Sequence, residues 1–178
     1  MKKLAKILLF TIVAVTAFSI TGCGSSVSDT SSGDVQEESN EKEYDMSDEV
    51  KIGNMEIGVS NVMEDDHIGD DDQIWGEAQT RGKFVSIAMV ITNLGDSEIR
   101  VDSSEFKLIA DGKTYSPSVD PAVVEAFGGS FLFYKSINPD MDMLGMIAFE
   151  VPSDLTDYSL LITPSGTDEK AIIHLNTN

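Results

Sequence analysis

The chain has 178 residues, with 12 Lys and Arg against 31 Asp and Glu, a single cysteine and two histidines, and a formal charge of −19. That balance excludes a basic face for direct nucleic-acid binding and opposes flat docking on anionic lipid. One cysteine excludes a disulfide framework within the chain, so any exported domain here rests on its core alone.

The N-terminus has the order of a secretory leader. Lys2, Lys3 and Lys6 form a basic start, and Leu8 to Ile20 form an apolar run without charge. The run is too short to span about 30 Å of hydrocarbon comfortably. Ile20-Thr21-Gly22-Cys23 follows, and resembles the bacterial lipobox, in which the cysteine thiol receives a diacylglycerol and the preceding segment is removed. Residues 1–22 are therefore expected to be a lipoprotein signal peptide, with Cys23 as the lipid attachment site. Each buried methylene is worth about 0.8 kcal/mol, and one acyl chain alone binds only marginally, so two or three chains are needed to hold a protein on a membrane. Loss of Lys2, Lys3 and Lys6 takes the formal charge from −19 to −22. The expected location is the outer face of the bacterial cytoplasmic membrane.

From Gly24 to Asp48 the chain is rich in Ser, Gly, Asp and Glu and poor in large apolar side chains. Such a segment buries too little surface to offset its ordering entropy. Residues 23–48 read as a lipidated cysteine and a disordered acidic linker, with a span of about 25–30 Å as a flexible coil.

Residues 49–178 read as one all-β domain. Met55, Ile57 and Val59 alternate with polar or small residues. So do Val85, Ile87, Met89 and Ile91; then Phe106, Leu108 and Ala110; then Ile147, Phe149 and Val151; then Tyr158, Leu160 and Ile162; and last Ala171, Ile173 and Leu175. Asn93-Leu94-Gly95-Asp96, Asp111-Gly112 and Asn138-Pro139 punctuate the runs. Period-two alternation between turn signals predicts six to eight strands buried on one face, and hence an antiparallel β-sandwich. One helix interrupts them: Asp120 as cap, Pro121 at the first position, Ala122 to Phe127 as the body, Gly128-Gly129 as the end. It is expected to plug an end of the sandwich or cross between sheets. Phe131 and Phe133 are expected on one face of a strand, facing the core.

Between the first two strong strands lies Glu64-Asp65-Asp66-His67-Ile68-Gly69-Asp70-Asp71-Asp72, with six carboxylates in nine residues. Asp65, Asp66, Asp70, Asp71 and Asp72 are the candidate ligands for Ca²⁺, which takes six to eight oxygens. The EF-hand spacing is absent, and a solvated acidic loop is the competing reading. Trp75 follows directly, either as core packing or as a binding surface. His67 and His174 stand in no catalytic pattern, and no G-x-S-x-G, H-E-x-x-H or phosphate-binding glycine loop occurs. The chain is read as not an enzyme and as needing no cofactor beyond that calcium.

Several segments have a familiar order. Gly82-Lys83-Phe84-Val85 is followed by Val90-Ile91-Thr92-Asn93-Leu94-Gly95-Asp96, by Val101-Asp102-Ser103-Ser104-Glu105-Phe106-Lys107-Leu108 and by Asp111-Gly112-Lys113-Thr114-Tyr115. Ile137-Asn138-Pro139, Phe149-Glu150-Val151-Pro152 and Tyr158-Ser159-Leu160-Leu161-Ile162 complete the set. Together they resemble the domain of unknown function 4352, found in exported bacterial lipoproteins, over residues 50 to 175. The resemblance implies an immunoglobulin-like sandwich outside the cytoplasm and supplies no catalytic residues. The chain departs from it in the acidic 64–72 loop and around Gly128. The function expected is a membrane-anchored binding module for an unknown protein or envelope ligand. The alternative is a structural or envelope-stress accessory that partners a membrane protein, with weak calcium binding at 64–72.

Overall fold

The structure is a computed structural model and describes residues 40–69 and 77–175. Two sheets face each other. The five-stranded sheet has the order β1 (Glu41–Asp45), β11 (Lys170–Leu175), β10 (Tyr158–Ile162), β6 (Phe106–Ala110) and β7 (Lys113–Tyr115). The four-stranded sheet has the order β2 (Glu49–Ile52), β3 (Met55–Ile68), β4 (Ala78–Asn93) and β9 (Asp142–Val151). A small ribbon pairs β5 (Ile99–Arg100) with β8 (Ser136–Ile137). The result is an immunoglobulin-like β-sandwich.

The core lies between the sheets and follows from the alternation. Ile57, Ile87, Met89, Ile91, Ile147 and Phe149 from one sheet and Phe106, Leu108, Leu160, Ile162 and Ile173 from the other are wholly buried. The β3–β4 register sets Ile57 opposite Ile91 and Val62 opposite Ile87, so one face of each strand is apolar and inward. Asp111 and Gly112 both take positive φ, at 48° and 67°, which is the backbone a tight hairpin between β6 and β7 requires.

Three expectations are corrected. Residues 41–45, assigned to the linker by composition, form β1, which pairs in parallel with β11 from Glu41↔Lys170 to Asp45↔His174. The other strand pairings are antiparallel. β1 joins through backbone hydrogen bonds, with Tyr44 alone of its side chains packing against the core, and neither signal shows in composition. Phe131 and Phe133 are buried as expected, but the segment is a turn with a single bridge, Phe131 to Met146. Leu132 is wholly buried too, because Gly145 leaves room for it: a Cβ there would stand 2.5 Å from Leu132 Cδ1.

The helix α1 (Pro121–Phe127) forms where capping predicts. Asp120 accepts a hydrogen bond from the Ala122 N–H at 2.8 Å, Pro121 opens the helix and Gly128 ends it at φ 50°. Its position is the third correction: it does not cross between sheets, and although Val124 and Phe127 reach the main core, its buried residue Val123 faces elsewhere. It packs on the outer face of the four-stranded sheet, where Val123 joins Ile68, Ala78, Phe84 and Ala148 in a second apolar cluster. Those sheet positions point away from the main core, and the helix residues Ala122, Val123, Ala126 and Phe127 pack over them.

Candidate functional site

The acidic segment does not form the expected loop at its start, because β3 runs on to Ile68. Successive strand residues point to opposite faces, which would separate Asp65 from Asp66. The ladder breaks here: Asp65 pairs with Phe84 and His67 with Gln79, so Thr80–Lys83 of β4 bulge opposite Asp66. The distortion brings both carboxylates to one imidazole. His67 Nδ1 lies 2.9 Å from Asp65 Oδ1 and 3.0 Å from Asp66 Oδ1, and the hydrogen bond to His67 lowers the Asp66 carboxyl below its usual range. The three ligand atoms lie within 4.8 Å of one another. Two oxygens and a nitrogen are a surface set closer to transition-metal than to calcium chemistry, and the imidazole–carboxylate bonds account for their convergence without an ion. Asp70, Asp71, Asp72, Trp75 and Cys23 lie outside the described residues.

The motif residues all serve the fold. Gly82 passes so close to β9 that a Cβ would sit 2.1 Å from the Val151 carbonyl oxygen. Lys83 Nζ donates to Glu64 at 2.5 Å and stands 5.6 Å from the centre of the Tyr158 ring. Burial opposes the Lys83 charge, but the bonds to Glu64 and Tyr158 prevail and its pKa is raised. Tyr158 is itself raised, chiefly by burial, and its hydroxyl donates to the Leu155 carbonyl. This is a bond of the tyrosine-corner kind.

Asn93 carries more than the turn that its sequence context indicates. It is wholly buried; its Nδ2 donates to the Ser97 carbonyl at 2.8 Å and the Ile137 carbonyl at 2.9 Å, and its Oδ1 accepts from the Gly95 N–H at 2.9 Å. One side chain thus ties the end of β4 to β8. Asp102 and Glu105 form a reciprocal capping box around a single 3-10 turn. The Ser104 N–H, followed by its hydroxyl, lowers the Asp102 pKa. Glu105 is only 6% exposed and also accepts from the Ser165 N–H at 2.8 Å. Nothing in the periodicity marks Asn93 or Glu105 as buried. The local signals that could have found them are the N-x-G turn and the D-x-x-E capping pattern.

Among the described residues, two surfaces stand out beyond internal packing. The first is a cleft of about 520 Å³ at the end of the sandwich, bounded by the β2–β3 turn, β5 and the β10–β11 connection. Arg100, Glu105 and Glu169 line it. The second is the part of the four-stranded sheet's outer face that α1 leaves open. Gly58, Val90 and Leu144 form one row across it and Asn61, Ala88 and Met146 the next, with Leu144 63% and the neighbouring Met63 41% exposed. His174 is half-buried beside Ser159 and Glu43, 3.1 Å and 3.4 Å away. Hydroxyl, imidazole and carboxylate thus lie in hydrogen-bonding order across the neighbouring strands β10, β11 and β1. No helix among the described residues is long and apolar enough to cross a membrane.

Solved structures share this architecture. The yjhA protein of Bacillus subtilis aligns with a TM-score of 0.57 at 14% identity, over 75% of this chain and 99% of that one. An uncharacterised β-sandwich protein of Clostridium difficile aligns at 0.52 and 18%, over 76% and 96%. The secreted protein MPT63 of Mycobacterium tuberculosis aligns at 0.54 and 13%, over 75% and 97%. At these identities the likeness concerns the fold alone. No curated protein matches the chain. Residues 44–172 match the model of the domain of unknown function DUF4352, from within β1 into β11 and so across both sheets. On that match over most of its length, the chain belongs to the DUF4352 family.

Proposed function

We propose that this protein is an exported, lipid-anchored binding module, held at the outer face of the bacterial cytoplasmic membrane by Cys23, and that its sandwich presents a ligand surface rather than a catalytic centre. The observation that carries the reading is the order basic residues, apolar run, Ile20-Thr21-Gly22, then the chain's single cysteine. The likeness in fold to a secreted mycobacterial protein supports export. The use of the motif side chains Lys83, Asn93, Asp102 and Tyr158 in structural bonds agrees with a non-catalytic role.

Cys23→Ala tests the anchor. The unaltered chain should partition with membranes and incorporate labelled fatty acid, and the variant should be released unlabelled. A variant that stays in the membrane fraction refutes the reading.

A second reading, an accessory that docks on a membrane protein, is favoured by the open apolar rows around Leu144 and Met63. Leu144→Lys with Met63→Lys should abolish such docking while leaving the melt nearly unchanged.

A further inference from the structure

We propose that the cleft between the β2–β3 turn and the β10–β11 connection binds a small zwitterion of the amino-acid or short-peptide class, its ammonium between Glu105 and Glu169 and its carboxylate at Arg100. The inference builds on the binding-module reading and gives it a ligand class.

Size comes first. About 520 Å³ falls within the range of small-molecule sites. Its walls come from both sheets: Gly53 and Met55 from the four-stranded sheet, and the segment from Pro164 to Glu169 from the connection that leads into the five-stranded one.

The charged groups are held in place by backbone, not by each other. Glu105 is nine-tenths buried, and each of its oxygens accepts one N–H, from Ser165 at 2.8 Å and from Asp102 at 3.3 Å. A carboxylate has about four acceptor positions, so half its capacity remains. Glu169 uses one oxygen to accept the Gly53 N–H at 3.0 Å. Neither carboxylate is ion-paired with a described lysine or arginine. An ammonium group brings three donors and matches two such carboxylates.

Arg100 is the cationic residue among those lining the cleft, in a chain that carries a large negative charge. Its guanidinium rests 5.9 Å from the centre of the Tyr134 ring and forms no ion pair with a described residue. Tyr134 is held at φ 65°, a costly conformation for a bulky side chain, by its N–H bond to the Val101 carbonyl, and its ring is 53% exposed. The strained aromatic therefore gives the guanidinium of Arg100, a residue that lines the cleft, a platform to rest on. Asp102 feels the Arg100 charge without pairing to it, and a planar fork of N–H donors left without an ion pair matches a ligand carboxylate. Simple anions meet two carboxylates here, and simple cations gain nothing from Arg100. A molecule carrying both charges engages all three groups.

The test uses the full chain in detergent micelles and follows the backbone amide resonances of Gly53, Ser165 and Gly166 during titration. The probes are alanyl-alanine, its N-acetyl derivative, its C-terminal amide and free alanine, each to about 10 mM, a range that detects millimolar dissociation constants. Alanyl-alanine should give saturable shifts, with each blocked form at least about tenfold weaker. Free alanine binding as tightly would place the ligand among amino acids, and weaker binding would place it among peptides; both support the proposal. Arg100→Gln should abolish the preference for the free acid over the amide, and Glu169→Gln the preference for the free amine over the acetylated form. Should either variant lose its fold by circular dichroism, the four probes on the unaltered chain decide alone. No saturable shift with alanyl-alanine or alanine, or equal binding of the blocked forms, overturns the proposal. The Cys23→Ala fractionation is independent of all four probes, so failure here and failure of the anchor are separate results.

Discussion

Removing the Asn93 side chain should cost this fold a large share of its stability. The carboxamide makes three hydrogen bonds of 2.8–2.9 Å to backbone groups of Ser97, Ile137 and Gly95, and the residue is wholly buried. Ile137 is itself 2% exposed, so its carbonyl finds no water when the donor is lost. A hydrogen bond contributes about 1 kcal/mol net, and a buried group left unsatisfied costs about 1–3 kcal/mol. With one partner deeply buried and two nearer the surface, Asn93→Ala should destabilise by about 3–5 kcal/mol, against a total of about 5–15 kcal/mol for a domain of this kind. Asn93→Asp keeps the acceptor for Gly95 and loses both donors while burying a charge, so it should fare no better than alanine. Urea unfolding followed by far-UV circular dichroism reads the effect as a fall in midpoint at constant slope. A loss below about 1 kcal/mol for Asn93→Ala would refute the reasoning, since it would mean that the three backbone groups find other partners.

Further outcomes follow from the same geometry. Gly82→Ala should destabilise by about 3 kcal/mol or more, because the new Cβ meets a backbone oxygen at 2.1 Å, whereas Gly58→Ala, with open space beside it, should be neutral or stabilising by about 0.5–1 kcal/mol; equal melts for the two would contradict the close approach. Tyr158 and Lys83 both have raised pKa values in the fold, so their contribution is full below the unfolded values near pH 10 and is lost as pH rises through the folded ones. Tyr158→Phe should therefore flatten the alkaline fall in melting temperature, and an unchanged alkaline limb would count against the assignment. Millimolar Ca²⁺ should leave the melt unmoved, because the described Asp65–Asp66–His67 group presents two carboxylates and a nitrogen; a rise abolished by Asp65→Asn and Asp66→Asn would reverse that conclusion. Val123→Asp should strip α1 from the sheet and destabilise by about 2–4 kcal/mol, since it puts a charge among Ile68, Phe84 and Ala148.

The sequence by itself determined the strands and their inward faces. Ile57, Ile87, Ile91, Phe149 and Leu160 are buried because alternation at period two is a local property that a sheet reads directly. The helix limits at Asp120 and Gly128 and the hairpin at Asp111-Gly112 were equally local, set by caps and by residues tolerant of positive φ. Tertiary structure decided what depends on distant neighbours. β1 exists because β11 offers a free edge 129 positions away, which composition at Glu41–Asp45 cannot show. Phe84 and Ala148 face outward from the sheet and are buried in the cluster that α1 completes. Asp65 and Asp66 meet at one imidazole because β4 bulges opposite them, where an even strand would have parted them. The cleft, too, is a product of assembly: Arg100, Glu105 and Glu169 are separated along the chain and share a wall only once the β2–β3 turn and the β10–β11 connection close the same end of the sandwich. Local pattern fixes which way a side chain points; which partners wait there is a matter of how the sheets come together.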